Sequence, residues 1–271
     1  MALVPVPGAP IERADDPHIE LTDRDAIDDG GARMSFLEHL DELRKRLINA
    51  AIALGVGCVI AFVFLDRVFD FLTRPMQQML PERGELVVTA PPEYFMLYLK
   101  VGVLVGLFVA LPAVMLQLWL FIAPGLYAHE KKFAIPFVVI STVFFVTGAA
   151  FSHYVAFPWT WKFFMDFMPG YVQPMIRLGD AFSLYVKMLL GFAVIFQMPT
   201  VVLFLARMGV VTAGFLLRHT KYAVLIIFIL GAVLSPGGDI VSQGLMAGPM
   251  LALYALSIVI AWVVAPRKKS A

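Results

Sequence analysis

Residues Met34–Leu65 read MSFLEHLDELRKRLINAAIALGVGCVIAFVFL, and the change of character halfway along this stretch decides the fold. Up to Arg46 it carries Glu38, Asp41, Glu42, Arg44, Lys45 and Arg46; from Leu47 to Leu65 it carries no charge at all. Ser35 and Glu38 have the spacing of a capping box, in which hydroxyl and carboxylate each take one amide left over at a helix start. A helix is therefore predicted from about Phe36. Phe36, Leu40, Leu43 and Leu47 form an apolar stripe that runs into the uncharged segment. That segment is long enough to cross a hydrocarbon layer of ~30 Å, which takes roughly 17–25 residues.

Working outward, five further uncharged runs follow: Val101–Pro124, Phe133–Ser152, Met188–Ala206, Tyr222–Gly238 and Ile240–Pro266. Six spans are expected. The fifth is the shortest, and only Ser235, Pro236, Gly237, Gly238 and Asp239 part it from the sixth, so these two should form a tight antiparallel pair near one surface. Arg44, Lys45, Arg46, Lys131, Lys132, Arg207, Arg218, Lys221, Arg267, Lys268 and Lys269 gather on one side of the predicted spans. The bias of Lys and Arg toward the inner face then puts both termini in the cytoplasm. The outer loops, about residues 66–93 and 154–180, hold Pro75, Pro158 and several aromatics and should cap the membrane surface. Residues 1–33, with four prolines followed by a run of acids, are expected to be a disordered cytoplasmic tail; 34–264 form the transmembrane domain and 265–271 a basic tail. No basic start with a short apolar stretch and cleavage site marks a secretory signal.

Bulk composition agrees. Of 271 residues 60% are hydrophobic and 15% charged, and mean hydropathy is +0.83, which excludes an ordinary soluble domain. The net charge of +1 says nothing about partners and gives no reason to expect nucleic acid. Cys58 is the sole cysteine, so neither an internal disulfide nor a cysteine metal site is available. His18, His39, His129, His153 and His219 are scattered, and HExxH, GxSxG and Walker signatures are missing from the sequence. An enzyme, a metal or a cofactor is not expected.

A parallel repeat relates the second and fourth spans. Glu93, Phe95, Leu97, Tyr98, Lys100, Pro112 and Val114 match Asp180, Phe182, Leu184, Tyr185, Lys187, Pro199 and Val201, each 87 positions on. Lys100 and Lys187 can reach the headgroups along their stems. Pro112 and Pro199 each delete a backbone donor, so both helices should kink, giving a concave wall. Gln197 sits in the middle of the fourth run, where an amide must find a partner helix, water or an interhelical hydrogen bond.

Two stretches could carry function. Glu38 and Glu42 lie one turn apart, and like charges at that spacing repel mildly; Glu42 could equally pair with Arg46. In FIAPGLYAHEKK, Phe121–Lys132, Pro124 and Gly125 end the second span and Glu130 falls at the start of the third, where a helix dipole favours an acid. That sets a second carboxylate on the same predicted surface as Glu42, near Phe121.

SFLEHLDELRKRL, LWLFIAPGLYAHEKK, FQMP and LSPGGDIVSQ, in that order over about Met34–Val264, closely resemble the TatC family, the multispanning receptor of the twin-arginine protein translocase. The resemblance implies an all-helical, glove-like six-span protein of the inner membrane that reads paired-arginine signals of folded cargo at its cytoplasmic face, powered by the proton motive force. It implies that Glu42 and Glu130 contact the arginine pair and that Arg44 and Phe121 support recognition. Small single-span subunits, lipid and further copies of the chain are the implied partners. An arginine fork makes two parallel charge-assisted bonds to a carboxylate, which lysine does not match. The sequence departs from the family at Gln197, often a glutamate there, and at Ala255, commonly an acid. Asp239 matches a family aspartate, and capping of the sixth helix would explain it equally well. Without the resemblance, the repeat and mid-span prolines would suggest a small-molecule secondary transporter with an enclosed pocket between the repeats.

Overall fold

The computed structural model describes residues 36–80, 84–122, 134–169, 171–235 and 237–264. The two tails, Pro124 and Glu130 lie outside them. By proximity the chain divides into Met1–Leu43 and Arg44–Ala271. Of the first unit, residues 36–43 are described and form the opening turns of α1 (Phe36–Val63).

The described residues of the second unit are almost all helix. After α1 come α2 (Leu65–Gln78), β1 (Glu85–Val87) and α3 (Pro91–Ile122), then α4 (Ala134–Phe151), a π-turn (Ser152–Ala156) and α5 (Phe157–Asp166). They are followed by β2 (Met175–Arg177), α6 (Leu178–Ile195), α7 (Met198–Arg207), α8 (Ala213–Arg218), α9 (Thr220–Leu234) and α10 (Ile240–Val264). Among the described residues, five stretches are long and apolar enough to cross a membrane: Leu37–Val63, Pro91–Ile122, Ile135–Asp166, Leu178–Arg207 and Ile240–Val264. The sixth expected span is the apolar α9, whose 15 residues rise only about 22 Å. That is short of the bilayer core, which a helix of this length crosses only where lipid thins around it or polar groups meet its ends.

Helix–helix contact in lipid gains nothing from the hydrophobic effect, so it rests on close packing and interhelical hydrogen bonds. α4 packs between α3 and α6, and α10 lies against α7 and α9. α1 meets α3 through small residues: Gly57 and Ala61 are buried, and a Cβ added at Gly57 would stand 2.4 Å from the Gly106 carbonyl oxygen. As expected, the last two spans form a hairpin. The amide of Gln243 donates to the Phe228 carbonyl (2.7 Å), and Gly231 allows the Gln243 backbone to approach.

The proline positions behave differently from one another. Pro75, expected in a loop, is buried inside α2, whose Leu65, Phe69, Leu72 and Met76 face inward at helical spacing. Pro112 sits within an unbroken α3. Pro199 follows a break: the Gln197 N–H bonds back three residues to Val194 O, and α7 starts afresh at Met198. Two related prolines thus leave one helix continuous and divide the other. The third span also runs further than expected. Instead of stopping at Ser152, it widens into the π-turn, where the Phe157 N–H bonds to Ser152 O, and continues to Asp166. Pro158 then falls at the start of α5, where its missing donor is harmless. β1 and β2 pair in parallel, Glu85 opposite Met175 and Val87 opposite Arg177, tying the ends of the repeated helices together.

Candidate functional site

At the end of the second unit where α1 enters, Arg46 donates to the Gln117 side chain at 3.4 Å and pins α1 to α3. Two residues further along α3, buried Trp119 donates its indole N–H to the Ser141 hydroxyl at 2.9 Å. Its ring packs on Phe137 (5.0 Å between centroids) and Phe204 (4.9 Å), which joins α3, α4 and α7. Residues two apart point to opposite sides of a helix, and with Trp119 turned inward, Phe121 is half-buried on another face. Arg44 is exposed at the start of the second unit, and Glu42 is half-buried on the α1 turns of the first. Of the four residues singled out for signal binding, Glu42, Arg44 and Phe121 are therefore placed on regular helix. Glu130 lies outside the described residues.

Gln197 donates to the Ser141 carbonyl across to α4 at 3.0 Å. Ser141 thus accepts twice, from Trp119 through its hydroxyl and from Gln197 through its backbone. The sequence reading missed Ser141, since a lone serine in an apolar run has no period that would expose its partners. The tight turn before α10 is built by Asp239. One carboxylate oxygen accepts from the Ser242 amide (2.8 Å), the other from the Ser242 hydroxyl, and that hydroxyl lies 2.6 Å from Ser235 Oγ. Asp239 is a helix cap. The Ser242 hydroxyl, then its amide, hold the carboxyl below the ordinary value of 3.8. Gly238 makes the turn with φ +63, a conformation few side chains tolerate.

At the opposite end of α3 and α6 the repeat becomes physical. Arg177 lies 3.6 Å from Glu93 and 3.8 Å from Asp180, the first matched pair, so one guanidinium bridges both copies. Glu93 also reaches back to the Thr89 amide (3.1 Å) and hydroxyl (2.7 Å), which fastens the start of α3. The matched tyrosines each hold a flanking element: Tyr98 bonds Asp66 of α2, and Tyr185 bonds His153 of the π-turn at 2.8 Å. Lys100 and Lys187 line one open apolar groove of about 650 Å³, walled by α1, α3 and α6. Sequence alone does not mark Arg177 and His153 as partners. The clue to Arg177 was its place three residues before Asp180.

Residues 38–249 match the family model described as Sec-independent protein translocase protein (TatC). The chain is 42% identical over 235 residues to the Sec-independent protein translocase protein TatC of Desulforapulum autotrophicum, covering 87% of each. It is 38% identical over 239 residues to the protein of the same name in Koribacter versatilis, covering 87% of this chain and 88% of that one. Its fold matches a crystal structure of the twin arginine translocase receptor TatC with a TM-score of 0.72 at 36% identity, covering 83% of this chain and 98% of that one. A second such structure, in DDM, matches with a TM-score of 0.74, also at 36% identity, over 83% of this chain and 99% of that one. The chain belongs to the TatC family and is a membrane component of the Sec-independent, twin-arginine protein translocase.

Proposed function

We propose that this chain recognises export signals carrying paired arginines, with Glu42 and Glu130 as the acceptors and Arg44 and Phe121 as supporting contacts. The recognition surface faces the cytoplasm, both termini lie on that side of the inner membrane, and the apolar part of the signal rests along the spans. Small single-span subunits of the translocase pack on polar or small-residue surfaces of the last three spans, with Gln197 contributing a polar contact. The observation that carries this reading is the unbroken family match over residues 38–249, which takes in Glu42, Phe121 and Glu130. Two carboxylates suit two guanidinium groups, each able to form a bidentate, charge-assisted pair of roughly 1.5–3 kcal/mol when partly desolvated. A small-molecule transporter would need an enclosed pocket between the repeats. The cavity at the repeats is open and apolar, which favours the receptor.

The test is photocrosslinking of the membrane-embedded protein to a signal peptide. Glu42→Gln with Glu130→Gln should abolish labelling by a peptide with paired arginines while the membrane level of the protein stays unchanged. Undiminished labelling in that double variant would refute the assignment. A peptide with paired lysines should label weakly; equal labelling would reduce recognition to simple charge attraction.

A further inference from the structure

Lys100 and Lys187 do not merely repeat in sequence; they share a cavity. On α3 the lining residues Met96, Lys100, Val103 and Leu107 step by four, three and four, and on α6 Ser183, Lys187 and Leu190 step by four and three. Each lysine therefore sits in the stripe that forms its helix's wall of the groove. The depths agree as well. Lys100 is nine residues into α3 and Lys187 nine residues into α6, about 13 Å of rise from the end bridged by Arg177. α1 closes the third side with Leu54.

The charge of this groove is one-sided. Among the described residues the two lysines and Ser183 are its polar lining, and no carboxylate lines it. Both lysines are exposed, and among the described residues neither has an ion-pair partner. The nearest repeat acids, Glu93 and Asp180, are engaged by Arg177. Two ammonium groups at one level of an apolar cleft call for an anion with an apolar body. A single snorkelling lysine would meet whichever headgroup drifted past, but two on facing walls present their charge to the same molecule. At about 650 Å³ the groove is in the range of roughly 300–1,000 Å³ usual for ligand sites.

We infer that the groove between α1, α3 and α6 is a binding site for one anionic phospholipid, its phosphate held between Lys100 and Lys187 and an acyl chain lying along Leu54, Val103, Leu107 and Leu190. The occupant comes from the leaflet at the Arg177 end. Glu42, Arg44 and Phe121 are not among the residues that line this groove, and the inference does not depend on Glu42 or Glu130.

The experiment reconstitutes the full chain in nanodiscs of phosphatidylcholine with a minor fraction of phosphatidylglycerol. Lipid retained after mild detergent extraction is then counted by native mass spectrometry. The wild type should keep about one phosphatidylglycerol per chain in preference to phosphatidylcholine. Each basic residue near a lipid surface strengthens anionic lipid binding by about fivefold, so Lys100→Met with Lys187→Met should cut the preference by roughly 25-fold. Lys100→Arg with Lys187→Arg, which keeps the charge, should preserve it and controls for folding. Retention unchanged in the methionine variant, or phosphatidylcholine held equally well by the wild type, overturns the inference. So does a photocrosslinker at Val103 that labels a polypeptide and no lipid. Failure of the signal-peptide assay would leave these outcomes unaffected, because they read lipid alone.

Discussion

Gly55 and Gly57 stand two residues apart on α1, and alanine should have opposite effects at them. Gly55 is exposed with open space where a Cβ would go, so Gly55→Ala gains helix propensity, up to about 1 kcal/mol. Gly57 is buried at the crossing with α3. Its Cβ would lie 2.4 Å from the Gly106 carbonyl oxygen, 3.0 Å from Ala110 Cβ and 3.1 Å from the Ala110 nitrogen. Two of those three atoms are backbone, which no rotamer change can move. Since non-bonded heavy atoms settle at about 3.5 Å or more, α1 must back away from α3 by roughly 1 Å, and overpacking of this kind costs about 1–3 kcal/mol. Set against the propensity gain, Gly57→Ala should be less stable than Gly55→Ala by about 1–3 kcal/mol. Gly106→Ala should behave like Gly57→Ala, because its Cβ would meet Cys58 Sγ at 2.5 Å and Cys58 Cα at 2.7 Å. Combining the two should be less than additive, since a helix already displaced relieves the second clash. The assay is unfolding in mixed micelles by stepwise addition of SDS, followed by fluorescence of the four tryptophans and by helical circular dichroism. Equal stability of the Gly55 and Gly57 variants would refute the small-residue crossing as what seats α1.

Tyr185→Phe removes the 2.8 Å hydrogen bond to buried His153 and should destabilise by about 1 kcal/mol, between the average of roughly 0.6 and the maximum of roughly 1.7 kcal/mol for bonds between membrane helices. Tyr154→Phe, altering a tyrosine that is 65% exposed, should change nothing in the same SDS titration. Gln197→Leu, which removes the 3.0 Å bond to Ser141, should lose about 0.6 kcal/mol by that titration; a loss several times larger would give the residue a structural weight its single bond does not explain. For Asp239, the folded-state carboxyl lies below its ordinary 3.8, so the cap is fully present above about pH 4 and is lost as pH falls through the lowered value. Hydrogen exchange at the Ser242 and Gln243 amides should quicken in that acid range. Asp239→Asn should keep the cap and abolish the pH dependence.

The spans were legible because charge is excluded from hydrocarbon, so runs such as Leu47–Leu65 and Ile240–Pro266 mark themselves. Where that rule is silent the reading diverged from the structure. Residues after Ser152 hold Pro158 and several aromatics, which read as loop; a π-turn shifts the hydrogen-bond register just before the proline and lets the helix go on to Asp166. Pro75 reads as loop for the same reason, yet it fits within α2, where Phe69, Leu72 and Met76 supply the buried face. β1 and β2, three residues each, are too short to show alternation. At the candidate site, Glu42 and Phe121 could be singled out through the family resemblance of their motifs. Their supports could not: Arg46 finds Gln117 across 71 residues, and Gln197 finds Ser141 across 56. Pairing at such separations leaves no local period to read.

The repeat shows how one sequence pattern can serve two mechanical ends. At the Arg177 end the copies remain matched in kind: two acids share a guanidinium, two tyrosines hold flanking elements, and two lysines face one groove. Further along they part. Pro112 leaves α3 continuous, so Trp119 and Gln117 stay in helical register and reach Ser141 and Arg46. Pro199 follows the break at Gln197, and beyond it α7 starts afresh, with Phe204 packed against Trp119 and Gln197 bonded to α4. A proline removes the same donor in both cases, and what differs is the side chain that precedes it. Only the second copy has a polar side chain two residues before the proline that can bond across to another helix. A glutamine at Ala110, the position matching Gln197, would therefore not reproduce the break: Ala110 is buried against Gly57, and the longer side chain would instead drive α1 off α3.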